Sequence, residues 1–347
     1  MRHALTDLLG IDLPIVLGPF GGLSSIELTA VVADGGGLGS FGLYGYDGTR
    51  IGETAAQLRE RTSRPFAFNL WLPLGDEVTP DRVDATAARD ALAPLYAAAG
   101  AAVPDLPERF LPPLDEQLAA VWDAAPAVLS VVFGVPAPEV VAEAHRRGIR
   151  VIGTATSVAE AVALEAGGVD AVVASGAEAA GHRVSFLAAA ESSLVGTLAL
   201  VPQVADAVRV PVIAAGGIAD RRGVAAAFAL GASGVQVGTA FLRTRQSAAS
   251  AGHRAAIATA RDTSTVLTRA MSGRLARGIP NRAVREIEAA GAIAPFPAQN
   301  WLTGVFRAAA GGDPELSSLW AGQAAALAKS DDADAVLREL ALGVPRS

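Results

Sequence analysis

The sequence predicts an α/β chain folded as one (β/α)8 barrel (a TIM barrel), with a helical insertion after strand 3 and a helical C-terminal extension. Three observations lead there. Short apolar runs recur at 14–18, 37–43, 65–70, 127–133, 149–154, 169–174, 210–214 and 234–237. Most are continuous rather than alternating, so both faces of each strand are buried, as in a parallel sheet. Between them lie segments of helical character, such as 138–147, 158–166 and 222–230. Consecutive βα units in this number favour closure into a barrel over an open doubly wound sheet.

A length of 347 residues suits a barrel carrying insertions. The barrel is expected over 1–75 and 127–260. The segment 76–126, punctuated by Pro80, Pro94, Pro104, Pro107, Pro112 and Pro113, reads as a helical insertion in the third βα loop. Residues 261–347 read as mostly helical, closing the barrel and capping its catalytic end.

Hydrophobic residues make up 51% of the chain but aromatics only 5%, so the apolar mass is mainly Ala, Val and Leu. That suits helices packed around buried parallel strands. The net charge is −7 with no basic run, which excludes nucleic acid as a partner, because nucleic acid needs a positive footprint. The absence of cysteine removes disulfides, thiolate metal sites and a Cys nucleophile. The segment 1–7 lacks a signal-peptide core, and no apolar run approaches membrane-spanning length. A cytoplasmic location without a membrane partner is the default expectation. No His-x-x-x-His pair, Gly-x-Ser-x-Gly elbow or Walker loop occurs, so no metal is expected.

The strongest chemical signal is Val212-Ile213-Ala214-Ala215-Gly216-Gly217-Ile218, a strand running into two glycines before a helix opens near Asp220. Glycines let backbone N–H groups approach an anion, and a following helix N-terminus adds a favourable dipole. One unit later comes Gly234-Val235-Gln236-Val237-Gly238-Thr239. Loops after strands 7 and 8 commonly hold phosphate in this fold, so Gly216, Gly217 and Gly238 are read as a phosphate site rather than bare turns.

Of the four histidines, His3 is terminal, His145 lies on a polar helix face and His253 reads as part of a surface helix. His182 follows strand 6 in a small-residue loop, where imidazole could exchange a proton near neutral pH. On position alone, catalysis and a structural hydrogen bond stay balanced. Glu178 reads as a solvated rim residue rather than an acid–base group. In Gly18-Pro19-Phe20-Gly21-Gly22-Leu23-Ser24-Ser25 the small residues permit close approach of a ligand, and one of the serines is expected to cap the next helix. Asn69, ending strand 3, can donate and accept toward a heterocycle edge.

Taken together these segments resemble the nitronate monooxygenase family, formerly called 2-nitropropane dioxygenases, over almost the whole chain. Residues 14–20 resemble its opening Pro-Ile-x-Gln-Ala-Pro-Met, residues 33–39 its Ala-Gly-Gly-Leu-Gly turn, and Asn69-Leu70-Trp71-Leu72-Pro73 its Asn-Leu-Phe-x-Pro. Residues 176–183 resemble its Gly-x-Glu-Ala-Gly-Gly-His-Arg, and 211–242 its flavin-phosphate region. Residues 267–274 and Trp320-Ala321-Gly322-Gln323 also match. In this chain Ser175 stands where the family usually has Gln, Ala180 where it has Gly, Phe20 for Met, Leu17 for Gln and Val184 for Gly.

The resemblance implies FMN as cofactor, held by Asn69, Gly217 and Gln236, Val237, Gly238 and Thr239. Gly18, Phe20, Ser175, Ala180, Gly181 and Gly216 complete the expected cofactor positions, and His182 matches the active-site histidine. The implied reaction is oxidation of an alkyl nitronate by molecular oxygen to a carbonyl compound and nitrite. In it His182 bonds the nitro oxygens or takes the α-proton of a neutral nitroalkane. The alternatives are an NAD(P)H-dependent flavin reductase, resembling enoyl-acyl-carrier-protein or quinone reductases, and a barrel that has lost flavin chemistry. A homodimer is compatible with the sequence but nothing in it specifies one.

Overall fold

The structure, a computed structural model, describes residues 4–345; His3 and the first part of the segment 1–7 lie outside them. Among the described residues the strands are β1 (Ile15–Leu17), β2 (Gly39–Gly42), β3 (Phe66–Trp71), β4 (Val128–Val132), β5 (Arg150–Ala155) and β6 (Ala171–Ser175). They continue as β7 (Gly181–His182), β8 (Val212–Ala215), β9 (Gly234–Val237), β10 (Val266–Thr268) and β11 (Ala276–Gly278). Eight of them form one parallel sheet in the order β1-β9-β8-β6-β5-β4-β3-β2. The remaining seam is bridged between Val16 and Leu38, with Leu17 N–H donating to Leu38 C=O and Leu38 N–H to Ile15 C=O, each at 2.9 Å. The predicted (β/α)8 barrel is therefore the observed one, and each expected apolar run holds one barrel strand.

Local sequence sets the alternation. The strand cores are apolar and buried, from Phe66 and Phe68 to Val172 and Val235. Several helices begin where a short polar side chain can accept from the first turn: Ser25 from Leu28 N–H, Asp47 from Arg50, Ser157 from Glu160 and Asn281 from Val284. Ser25 is thus the cap anticipated after strand 1. Ser24 instead accepts from the N–H groups of Phe20 and Gly42, tying the first loop to β2.

The core has two shells. Leu5 and Leu9, from the short helix Ala4–Leu9, join Val16, Ala67, Ile152, Val173 and Ile213 in an inner apolar cluster. A larger cluster lies between strands and outer helices. The segment 76–126 divides. Helix Leu114–Ala124 packs on helix Gly48–Arg61 and puts Val121 and Ala124 into this main core. Helix Thr86–Ala98 leaves it, packing with helices Arg282–Ala290 and Ala298–Ala309 in a separate cluster around Tyr96 and Phe306. The Tyr96 hydroxyl donates to Leu302 C=O at 2.6 Å there. The C-terminal helix Ala333–Ala341 packs against the outer helices Ile26–Asp34 and Arg221–Ala229.

Two features differ from the sequence reading. β7, β10 and β11 form a small antiparallel sheet, so the C-terminal segment is not purely helical where it meets the barrel mouth. Two- and three-residue strands carry too little pattern to be read from sequence. His253, read as a surface residue, is 2% exposed and its Nε2 lies 3.0 Å from the Trp320 carbonyl, because the C-terminal tail covers that helix. No described helix is long and apolar enough to cross a membrane.

Candidate active site

Parallel strands bring all their C-terminal ends to one rim, and the loops that follow them surround a cavity of about 380 Å³. That is within the usual range for a small-molecule or cofactor site. Gly18, Phe20, Asn69, Ser175, Ala180 and Gly181 line it. So do His182, Gly216, Gly217, Gln236, Gly238 and Thr239. Of the positions singled out in the sequence, Val237 is not in the wall. It is fully buried in the main core, because strand alternation turns it away from the face shared by Gln236 and Gly238. Its carbonyl accepts from Gly18 N–H at 2.8 Å.

At one end the chain is brought very close to itself. Gly216 and Gly217 have φ of +100° and +73°, a conformation that only glycine adopts freely. A Cβ added to Gly18 would lie 3.1 Å from the Gly238 Cα, so the turns after β1 and β9 touch backbone to backbone. The tail seals this end: Gly322 N–H donates to Thr239 Oγ1 at 3.0 Å and Gln323 N–H to Glu178 C=O at 2.9 Å. The helix expected to lend its dipole, Arg221–Ala229, is already occupied. Its cap Asp220 accepts from Arg222 N–H and pairs with the Arg222 guanidinium, leaving the glycine turn itself facing the cavity. Glu178, expected to be solvated, lines the cavity and caps another helix, Thr197–Ala207. Its carboxylate accepts from Thr197 N–H at 2.9 Å and from Thr197 Oγ1 at 2.9 Å.

Further along lie polar groups with spare capacity. Asn69 is 3% exposed and donates through Nδ2 to Ser130 Oγ at 3.0 Å, while no described residue bonds its Oδ1. The amide of Gln236 makes no side-chain hydrogen bond to any described residue, and Thr154 stands beside these in the same wall. Such a set offers donors and acceptors to a flat heterocycle while its fixed partners hold it in place.

His182 closes the site on the opposite side. It is in the second position of β7, paired in register with Ala276 of β11. Its ring lies 4.8 Å from that of Trp71 and 5.5 Å from Trp320, and Nε2 is 2.8 Å from Ser272 Oγ. Burial removes the water that would solvate the imidazolium, and the Arg274 and Arg307 charges oppose it too, so its pKa falls to about 3. His182 is therefore neutral at physiological pH. The loop around it is pinned from below. Buried Arg183 donates to the carbonyls of Ser175 (2.6 Å), Thr156 (3.2 Å) and Ser193 (3.1 Å). Fully buried Glu160 accepts from the N–H groups of Thr156 (2.6 Å) and Phe186 (2.7 Å).

The remaining wall was not anticipated. The Tyr44 ring lies 4.3 Å from that of Trp71, tilted by 47°, and Asn300 and Arg307 reach the cavity from helix Ala298–Ala309. Asn300 and Arg307 are seven residues apart, two helical turns, which places them on one face. In sequence, polar residues at that spacing on an amphipathic helix look like a solvated stripe.

The fold and the site define a (β/α)8-barrel enzyme with its pocket on the C-terminal rim of the barrel. A model of the nitronate monooxygenase family matches residues 2–343. A Staphylococcus aureus (strain JH9) protein named as a probable nitronate monooxygenase is 38% identical over 348 aligned positions, covering 98% of this chain and 96% of that protein. The nitroalkane oxidase structure from Streptomyces ansochromogenes superposes with a TM-score of 0.85 at 36% identity, covering 97% of this chain and 96% of that one. FabK from Thermotoga maritima superposes with a TM-score of 0.76 at 29% identity, covering 98% and 95%. The chain belongs to the nitronate monooxygenase family and is an oxidoreductase.

Proposed function

We propose that this protein is an FMN-dependent enzyme that oxidises alkyl nitronates with molecular oxygen to a carbonyl compound and nitrite. The observation that supports this best is the pairing, within one cavity, of two carboxamides with spare hydrogen-bonding capacity, a backbone-only glycine cradle and a neutral, anchored imidazole. The residues fit FMN. Asn69 and Gln236 would meet the edge of its ring, and Gly18, Phe20, Ser175, Ala180 and Gly181 would surround that ring closely. Gly216, Gly217, Gly238 and Thr239, with the backbone of Val237, would hold its phosphate, since a cradle of glycine N–H groups suits an anion. When bound, FMN supplies a ring that accepts electrons and passes them to oxygen.

The residues of the chain then position and discriminate. His182 is a poor general base at a pKa near 3, because a base works best with a pKa near the operating pH. The preformed nitronate anion is accordingly the substrate, and His182 serves as a hydrogen-bonding partner fixed by Ser272. Trp71, Trp320 and Phe133 wall the imidazole with aromatic surface, which reduces its contact with water and strengthens the polar contacts beside it.

The deciding experiment is anaerobic mixing of the purified yellow protein with propyl-2-nitronate, NADH or NADPH. Bleaching by the nitronate alone, with nitrite formed in air, is the expected result. Rapid bleaching by NADH or NADPH would move the assignment to a flavin reductase, and a colourless protein forming no nitrite would end it. His182→Asn is expected to lower turnover and leave the yellow colour intact.

A further inference from the structure

A cation without a counter-ion faces the cavity. Arg307 makes no ion pair with any described carboxylate; its Nη2 donates only to Asn300, to the backbone carbonyl at 3.3 Å and to Oδ1 at 3.2 Å. Its Nε is buried and has no hydrogen-bond partner. The neighbouring Arg274, by contrast, is neutralised by Asp76 and Glu77. Glu178, the one carboxylate among the described residues of the cavity wall, is spent on Thr197.

A buried, uncompensated guanidinium is costly, and proteins keep such groups where a ligand completes them. Burial lowers the Arg307 pKa only to about 10, so the charge persists at neutral pH.

Its partners point the same way. Because Asn300 Oδ1 accepts from Arg307, its amide is oriented, and Nδ2 donates to the Tyr44 hydroxyl at 2.9 Å. That leaves the Tyr44 proton free to be donated. Burial pushes the Tyr44 pKa up to about 12, so the phenol keeps that proton. Tyr44, Asn300 and Arg307 all line the cavity. Tyr44 packs against Trp71, which in turn lies against His182. The positive wall is therefore one aromatic ring away from the imidazole.

We propose that Arg307, supported by Asn300 and joined by the Tyr44 hydroxyl, is a clamp for a planar two-oxygen anion on the substrate. A forked guanidinium matches two coplanar oxygens, and both a nitronate and a carboxylate present them. The inference rests on the nitronate reading for the identity of the substrate, and on the geometry of the wall alone for the anion.

The test separates the two. Propionate and its neutral analogue propionamide are titrated into the purified protein, following the fluorescence of Trp71 and Trp320, which border the cavity. Propionate is expected to bind saturably and propionamide not at all. Arg307→Gln is expected to weaken propionate at least tenfold, and Arg307→Lys to weaken it less. Thermal melts of both variants check that they are folded; if Arg307→Gln does not fold, the wild-type and Arg307→Lys titrations carry the test. Equal binding of propionate to wild type and a folded variant, or equal binding of propionate and propionamide to wild type, overturns the clamp.

KM values then identify the group held. A rise in Arg307→Gln for propyl-2-nitronate shows that the nitronate oxygens are clamped. A rise confined to a nitronate that also bears a carboxylate shows that the carboxylate is clamped. Lost propionate binding in a protein that oxidises no nitronate leaves the clamp standing and removes the oxidase reading.

Discussion

The imidazole Nε2 of His182 lies 2.8 Å from the Ser272 hydroxyl, and the same hydroxyl is bonded to the backbone of Arg274 on both its donor and acceptor sides. Ser272 is 1% exposed. Ser272→Ala is expected to leave a buried ring nitrogen unpaired, at a cost of roughly 1–3 kcal/mol. Urea unfolding measures that loss. Turnover should fall while the cofactor colour is retained. A Ser272→Ala protein as stable and active as wild type would show the bond to be incidental.

Burial of two histidines predicts how stability depends on pH. The pKa of His182 falls to about 3 and that of His253 is also lowered, in both cases mainly by burial. The native state therefore binds these protons less readily than the unfolded chain. Their stabilising contribution is complete above the unfolded value of about 6.5 and is lost as pH drops through it toward the native values. Each group contributes a slope of up to about 1.4 kcal/mol per pH unit. Calorimetry from pH 7 to 5 should show a falling Tm, with a shallower fall in His182→Asn. Identical slopes in the two proteins would contradict the burial argument.

Gly217→Ala tests the cradle. At φ +73° an alanine is strained, although its Cβ would meet nothing nearer than 3.7 Å. The expected stability loss is about 1 kcal/mol. The larger effect should be on the cofactor, since the strained turn would shift its N–H groups. Dialysis of the purified variant should release flavin faster than from wild type. Equal retention would mean that these glycines only make a turn.

Glu178→Gln distinguishes a cap from an acid–base group. The carboxylate meets both Thr197 N–H and its hydroxyl at a helix N-terminus. Loss of charge there should cost about 1 kcal/mol and change turnover only a few-fold. A loss of several orders of magnitude in kcat without a change in KM would instead place Glu178 in the chemistry.

The barrel was legible because most strands are continuous apolar runs and several of the helices between them open on a short polar cap. Both signals are local and recur along the chain. The glycine end of the site was legible for a related reason: Gly216 and Gly217 encode a backbone conformation directly in their residue type. Asn69 stood out as an amide in an apolar strand, whereas Gln236 was marked only by the family resemblance. The rest of the site carried no such mark. Glu178 read as solvated because nothing near it in sequence announces Thr197, and His253 read as exposed because its cover comes from Trp320.

Local sequence pattern specifies the barrel, the rim on which a site would form and the glycine turns at one end of it. Strand pattern, capping and glycine conformation depend on near neighbours and are written in short stretches of chain. Packing in three dimensions sets the environment of His182, held in register with Ala276 and neutral among Trp71, Trp320 and Arg274. It alone placed Arg307 in the cavity wall beside Tyr44, more than 250 residues away in the chain. Desolvation and charge pairing depend on what packs around a group in space, and that is fixed only when distant segments meet at the barrel mouth.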